Sequence, residues 1–182
     1  QPPTSLAGTF GNFTLNVNTG AWTYALDNSK SVTQALTAGQ KVTDKLTVAS
    51  KDGKASAEIV IEITGVNDSV AITGTRTGSV TEDSATQNTA SGTLPVSDVD
   101  TGEAVFNAPA SASLAGTFGN FTFNANTGAW TYTLDNSKAA TQALAAGQQV
   151  TDKLTVTSKD GTASADIVVT ITGAAETANN TG

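Results

Sequence analysis

Cysteine, histidine and methionine are all missing from this chain of 182 residues. Without cysteine there is no disulfide framework, no thiol nucleophile and no thiolate zinc site. Without histidine there is no Ser-His-Asp triad, no imidazole general base and no imidazole metal ligand. Aromatic residues are scarce, at 5%. The nine basic residues are dispersed and outnumbered by sixteen acidic ones, for a net charge of −7, which is no nucleic-acid footprint. Apolar runs are only a few residues long, so no membrane insertion through a hydrophobic helix is expected. The chain starts at Gln1, without Met and without a signal-peptide pattern, and reads as a fragment or a processed product. What is abundant is Thr (32), Ala (28) and Gly (17). The 38% hydrophobic content, with Val, Ile, Leu and Phe well represented, suffices for a core and argues against disorder.

The chain repeats itself. Ser5 to Gly65 and Ser113 to Gly173 are identical at 49 of 61 positions, at an offset of 108. A period that long is a whole domain rather than a solenoid repeat. Residues 1–68 then form the C-terminal portion of one unit and 69–174 a complete unit. Residues 175–182 read as a flexible tail or the start of the next linker. The plain reading is a window on a longer array. A sharper one has the tail, Ala174 to Gly182, donate a strand to a neighbour's incomplete unit, against which its low β-propensity counts.

Apolar residues recur with period two. Phe121 and Phe123 alternate with Thr122 and Asn124, and Trp130, Tyr132 and Leu134 with Thr131 and Thr133. Asn126-Thr127-Gly128 joins these runs into a hairpin. Val150, Leu154 and Val156 form a second hairpin with Ile167, Val169 and Ile171, turned at Asp160-Gly161, a type I′ signal. The first copy repeats both turns at Asn18-Thr19-Gly20 and Asp52-Gly53. Short strands are expected at 70–73, 78–81 and 93–96, and one or two helical turns within Lys138 to Ala146. About seven strands per repeat predict an all-β sandwich. Phe121, Trp130, Tyr132, Leu154 and Val169 are its expected core. The aromatic stripe could alternatively face a ligand, but alternation with Thr favours burial of Trp22 and Trp130 alike.

Six acids, Asp68, Glu82, Asp83, Asp98, Asp100 and Glu103, fall in a stretch with a single base, Arg76. Asp98-Val99-Asp100, followed by Gly102, offers two carboxylates from one tight loop. Several hard oxygen ligands suit Ca²⁺ better than Mg²⁺, and transition metals would want the absent His or Cys. The same acids also suit a solvated loop of an acidic protein.

The runs SGTLPVSDVDTGE, AGTFGNFTFNANTGAWTYTLDNS and QALAAGQQVTDKLTVTSKDGTASADIVVTITG together resemble the VCBS repeat family. Such domains occur in tandem in very large secreted bacterial proteins, including RTX adhesins. At a distance the repeat resembles the cadherin domain. On that resemblance ITGVND stands where the cadherin linker stands, and Asp98-Val99-Asp100 matches its DxD. Asp160-Gly161 matches part of its last-strand motif, Glu82 or Asp83 its early acid, and Leu26-Asp27 part of its LDRE. The resemblance implies Ca²⁺ near residue 68, held by Asn67 and Asp68, by Asp98, Asp100 and Asp160, and by Asp27. Glu103 could complete an internal site. The second acid of LDRE is replaced by Ser29, which implies fewer ions than in a cadherin junction.

The function implied is a calcium-stiffened spacer of a bacterial surface adhesin. It would stack with neighbouring repeats outside the cell and project a distal ligand-binding region in adhesion or biofilm formation, with self-association possible. Two alternatives stand beside it. One is a carbohydrate- or protein-binding module using Trp22 and Trp130. The other is a filament subunit assembled by strand donation. An enzyme is not expected, because no acid sits in an apolar pocket signature and His and Cys are missing. Lys45 and Lys153, in strands near an Asp, raise the further idea of an isopeptide bond.

Overall fold

Threonine on one face of a strand and aliphatic or aromatic groups on the other make a ribbon that must bury one side. Both copies of the repeat fold into such ribbons. The computed structural model describes residues 4–175. It divides into two units: the residues up to Ser69 with Val99–Thr101, and Val70–Asp98 with the residues from Gly102 on. The expected tail lies, from residue 176, outside the described residues.

In the first unit, β1 (Thr4–Ala7), β2 (Gly11–Leu15) and β3 (Trp22–Leu26) form an antiparallel sheet in that order. After a single helical turn, α1 (Ser31–Gln34), the long hairpin of β4 (Lys41–Ala49) and β5 (Ser56–Thr64) pairs from Lys41↔Thr64 to Ala49↔Ser56. Its fully buried apolar residues are Phe13, Leu36 and Ile63.

The second unit is a two-layer sandwich. It begins with β6 (Ala71–Ile72), β7 (Thr77–Thr81), β8 (Thr89–Thr93) and β9 (Val96–Ser97), followed by a 3₁₀ turn at Ser111–Leu114. The repeat's own hairpins follow: β10 (Gly119–Phe123) with β11 (Ala129–Leu134), α2 (Ala139–Gln142), then β12 (Gln149–Thr157) with β13 (Ser164–Thr172). One sheet runs β10-β11-β8, the other β12-β13-β7, and β6-β9 is a short ribbon. β7 lies parallel to β13, with Val168↔Thr77 and Thr172↔Thr81 in register. Phe121, Trp130 and Tyr132 from one sheet meet Leu154, Val156, Ile167, Val169 and Ile171 from the other, in a core of fourteen buried residues. Each large side chain removed from water contributes about 1.5–3 kcal/mol.

Three sequence expectations shift. The strand expected at 93–96 is split between β8 and β9. Pro95 has no N–H to give a ladder, and Leu94 turns its own N–H to the Gly128 carbonyl at 2.9 Å. Asp160-Gly161 is not a two-residue type I′ turn, which needs positive φ at both positions. Asp83 is the one non-glycine residue with positive φ among the described residues. The connection instead spans Ser158 to Ala163, closed by Ser158 N–H on the Ala163 carbonyl at 2.9 Å. Finally, Trp130 is 1% exposed but Trp22 is 45% exposed. Trp130 is covered by Gly78 and Gly92, where an added Cβ would come within 3.2 and 2.8 Å of the indole. Those glycines flank and belong to strands that have no counterpart among the described residues of the first unit.

Candidate metal centre

Two loops of the second unit bring three carboxylates together. After β9 the chain turns through Gly102, at φ +81°, and Val105 N–H bonds the Glu103 carbonyl at 2.7 Å. The β12–β13 loop docks on this segment. Lys159 N–H donates to the Val105 carbonyl at 2.9 Å, and the Asn107 amide donates to the carbonyls of Ser158 (2.7 Å) and Lys159 (3.3 Å). Asp160 is oriented by the Ser158 hydroxyl at 2.5 Å, the Thr162 N–H at 3.1 Å and the Thr162 hydroxyl. The outcome is a cluster of Asp98, Glu103 and Asp160, all half-buried, with one oxygen of each within 4.8 Å of the others.

Charge and spacing define what such a cluster can hold. Two ionised carboxylates about 5 Å apart repel by roughly 3 kcal/mol at an effective dielectric constant near 20. Oxygens on opposite sides of a calcium ion lie about 4.6–5.2 Å apart, twice its bond length of about 2.3–2.6 Å. The donor set is all hard oxygen, on loops rather than a rigid frame, and fits Ca²⁺. Its chemistry there would be structural, neutralising and cross-linking two loops.

The other residues singled out from the sequence lie outside this group of three. Within the first unit, Asp100 is 2% exposed and accepts the Asp68 N–H at 2.9 Å, while the Asn67 amide donates to the Asp68 carbonyl at 2.7 Å. Asp27 accepts the Ser29 hydroxyl and N–H at 2.6 and 2.9 Å, and the first of these bonds leads in holding its carboxyl below the usual carboxylate range. Glu82, 1% exposed, receives the Ala174 N–H at 3.0 Å and the Gln142 amide at 3.4 Å. Asp83 follows it, exposed, at φ 54°.

Sequence reasoning missed a carboxylate that occurs twice. Asp152 accepts the N–H groups of Thr117, Phe118 and Gly119 at 2.9–3.1 Å and the Tyr132 hydroxyl at 2.7 Å. Asp44 does the same with Thr9, Phe10, Gly11 and Tyr24. Lys138 and Lys30 take the turn's carbonyls from the other side. The Gly-Thr-Phe-Gly turn is thus fastened to the opposite sheet, and a Cβ at Gly8 or Gly116 would collide with the carboxylate. A signal existed: Asp152 occupies the same strand phase as Val150, Leu154 and Val156, where only apolar residues were expected. Burial raises the Asp44 carboxyl, but the bonds from Tyr24, Phe10, Thr9 and Gly11 outweigh it and hold the group below its ordinary value. Burial, then the bonded aspartate, pushes both phenols far up.

A two-sheet, all-β unit in which β7 lies parallel to β13, repeated in tandem and carrying an acidic loop cluster, defines a cadherin-like class of domain. The model of the bacterial cadherin-like domain matches residues 67–173, more than half of the chain, and the chain belongs to that family. Among solved structures it is similar to the "Protocadherin GammaB4 extracellular domain", at 14% identity and a TM-score of 0.36. That match covers 95% of this chain and 26% of the protocadherin, so the chain spans about a quarter of that structure's length. No curated protein matches. Cadherin-like domains are extracellular structural and adhesion modules that work in tandem, and no helix of the described residues is long and apolar enough to cross a membrane.

Proposed function

We propose that this chain is a calcium-braced spacer of a large secreted bacterial adhesin of the VCBS and RTX type, one of many repeats that carry a distal binding region away from the cell surface. The cluster of Asp98, Glu103 and Asp160 carries the reading. An ion held there ties the β9–β10 connection to the β12–β13 loop. Extracellular modules bind Ca²⁺ at about 10⁻⁴–10⁻³ M, so such a site stays empty in a calcium-poor cytoplasm and fills outside. The near-identity of the two copies supports a spacer, whose job is length.

The test is the thermal midpoint of the second unit in EDTA and in about 10 mM calcium. Ten to a hundred times the dissociation constant stabilises by about 1.4–2.7 kcal/mol, a rise of roughly 6–20 °C for a domain of this size. Magnesium should give little, and Asp98→Asn with Glu103→Gln should remove the rise. An unchanged midpoint in calcium would sink the proposal.

The exposed Trp22 gives the binding-module reading an observation of its own. The isopeptide idea finds Lys153 in an exposed ion pair with Asp166 at 3.2 Å, and an intact mass short of one water or ammonia is the result that would revive it.

A further inference from the structure

Past the two-residue β6, the chain enters the main sheets of the second unit through β7 and leaves them after β13. These two strands are neighbours in one sheet and run parallel, with Val168↔Thr77 through Thr172↔Thr81 in register. Parallel order puts the start of β7 and the end of β13 at opposite ends of one ladder. Tension applied through the chain therefore draws the two strands past each other along their axes. The evenly spaced, slanted bonds of a parallel ladder then share the load and break together. A ladder pulled open from one end would lose them singly.

The far end of this ladder is closed by a side chain. The ladder opens with the Val168 N–H on the Arg76 carbonyl at 2.8 Å and runs on to the Glu82 N–H on the Thr172 carbonyl at 3.0 Å. Arg76 and Val168 stand 92 residues apart, as do Glu82 and Ala174. By that spacing the Glu82 carbonyl would be the next acceptor, for the Ala174 N–H. The backbone turns off there, at Asp83 with φ 54°. The Glu82 carboxylate takes the bond instead, Oε2 accepting the Ala174 N–H at 3.0 Å. Its other oxygen accepts the Gln142 amide at 3.4 Å, and the side chain is 1% exposed. A backbone N–H bonded to a carboxylate is held roughly twice as strongly as one bonded to a neutral acceptor. The bond lies just past β13, where tension on the exit of the chain arrives first.

We propose that the β7–β13 ladder is a mechanical shear clamp and that Glu82 is its latch, holding the exit of the second unit against tension along the chain. The inference deepens the spacer reading and rests on it only for the source of the tension. The clamp itself needs no calcium, and it is built wholly from residues of the second unit.

The chain has no cysteine, so introduced cysteine pairs give defined handles for single-molecule pulling of the full chain, in EDTA. Ser69→Cys with Ala175→Cys pulls along the ladder. Ser69→Cys with Ser164→Cys pulls from the end where both strands begin. All three positions are exposed. At one loading rate, rupture along the ladder should need at least about twice the force of rupture from its end, because several bonds share the break. The event should release about 350–380 Å of chain, less the folded separation, for the 106 residues from Ser69 to Ala175. Glu82→Ala should lower the force along the ladder and leave the force from its end unchanged. Ala174→Pro, which deletes the N–H and keeps the carboxylate, should do the same. Glu82→Gln, which keeps an oxygen acceptor, should retain most of the force. Equal forces in the two directions overturn the proposal. So does a force along the ladder that neither Glu82→Ala nor Ala174→Pro lowers, or an equal fall in both directions, which would make Glu82 a general stabiliser. Because every pull is made without calcium, an unchanged midpoint in the calcium test leaves the clamp standing, and a weak ladder leaves the calcium site standing.

Discussion

Two stretches that share 49 of 61 residues come to different ends in this molecule. Both form the same two hairpins, the same helical turn and the same carboxylate-fastened Gly-Thr-Phe-Gly turn. Among the described residues only one builds a closed core, with fourteen buried apolar residues against three in the other. The hairpins follow from local pattern and turn chemistry. Closure depends on β7 and β8, which are remote in sequence. Gly20 and Gly128 make the point at one position of the shared Asn-Thr-Gly turn. Both have positive φ, so both are required by the turn. A Cβ at Gly20 would meet nothing, whereas at Gly128 it would strike the Leu94 carbonyl. The identical Ser-Leu-Ala-Gly segments differ as well. The first contributes to β1, while the second ends a 3₁₀ turn and keeps a single bridge, Ala115↔Asn120.

The sharpest way to break this comparison is to truncate the two tryptophans. Trp130→Ala empties a fully buried site and should cost about 3–5 kcal/mol. Trp22→Ala removes a half-exposed side chain and should cost about 0.5 kcal/mol or less. Chemical denaturation followed by far-UV circular dichroism reads both. Equal losses would mean that the first unit's open face is covered in solution.

Calcium should separate the copies next. Asp52 and Asp160 occupy the same loop position and make similar bonds, each accepting a serine hydroxyl at 2.5 Å. Asp160 alone belongs to a three-carboxylate group. Asp160→Asn should therefore abolish the calcium-dependent rise in midpoint, about 1.4–2.7 kcal/mol at 10 mM, and Asp52→Asn should leave it intact. A matching loss in Asp52→Asn would place the ion elsewhere.

This pair also shows how much of the site was legible in the sequence. The acidic stretch and the Asp-Gly loop were visible, and so was the preference for a hard cation. The grouping was not visible in local pattern; only the family resemblance set Asp98 with Asp160 and left Glu103 to an internal site. The grouping depends on Asn107 and Lys159 docking one loop on the other, contacts some fifty residues apart that no local pattern encodes. Asp44 and Asp152 were hidden for a related reason. Each stands in a core phase of its strand, and the backbone N–H groups that make burial tolerable come from a turn more than thirty residues earlier. The all-β class, the repeat and both hairpins were readable because threonine alternation and turn glycines are local signals. The parallel pairing of β7 with β13 was not, because nothing in a five-residue strand names its partner.

The phenols of these Tyr–Asp pairs set an alkaline limit that the two units should share, and Asp44 sets an acid limit in the first. The folded Asp44 carboxyl sits below its unfolded value, near 3.9. Its contribution is therefore complete above pH 4 and is lost as pH falls further, through the folded value. The phenols of Tyr24 and Tyr132 are raised above their ordinary value of 10.0. Their contribution is complete below pH 10 and declines as alkali begins to ionise the unfolded chain. Tyrosinate absorbance at 295 nm should therefore rise together with unfolding. Free titration of both phenols near pH 10 in the folded chain would contradict the buried Tyr–Asp bonds.

The smallest effect should be the same in both copies. Lys153 pairs with Asp166 at 3.2 Å and Lys45 with Glu58 at 3.4 Å, all four side chains roughly half-exposed. These cross-strand pairs lie on the outer faces of the two long hairpins, where water and salt screen them. Exposed pairs contribute about 0.2–1 kcal/mol. Lys153→Ala and Lys45→Ala should each lower stability by no more than that, and 0.5 M salt should erase the difference from wild type. The equality is the informative part. An outer face is built by its own hairpin alone, so closing the core behind it should leave the pair unchanged. A loss several times larger for Lys153 would show that the sheet contacts of β7 with β13 also tighten the hairpin's solvent side, and that the difference between the two described units extends beyond the core.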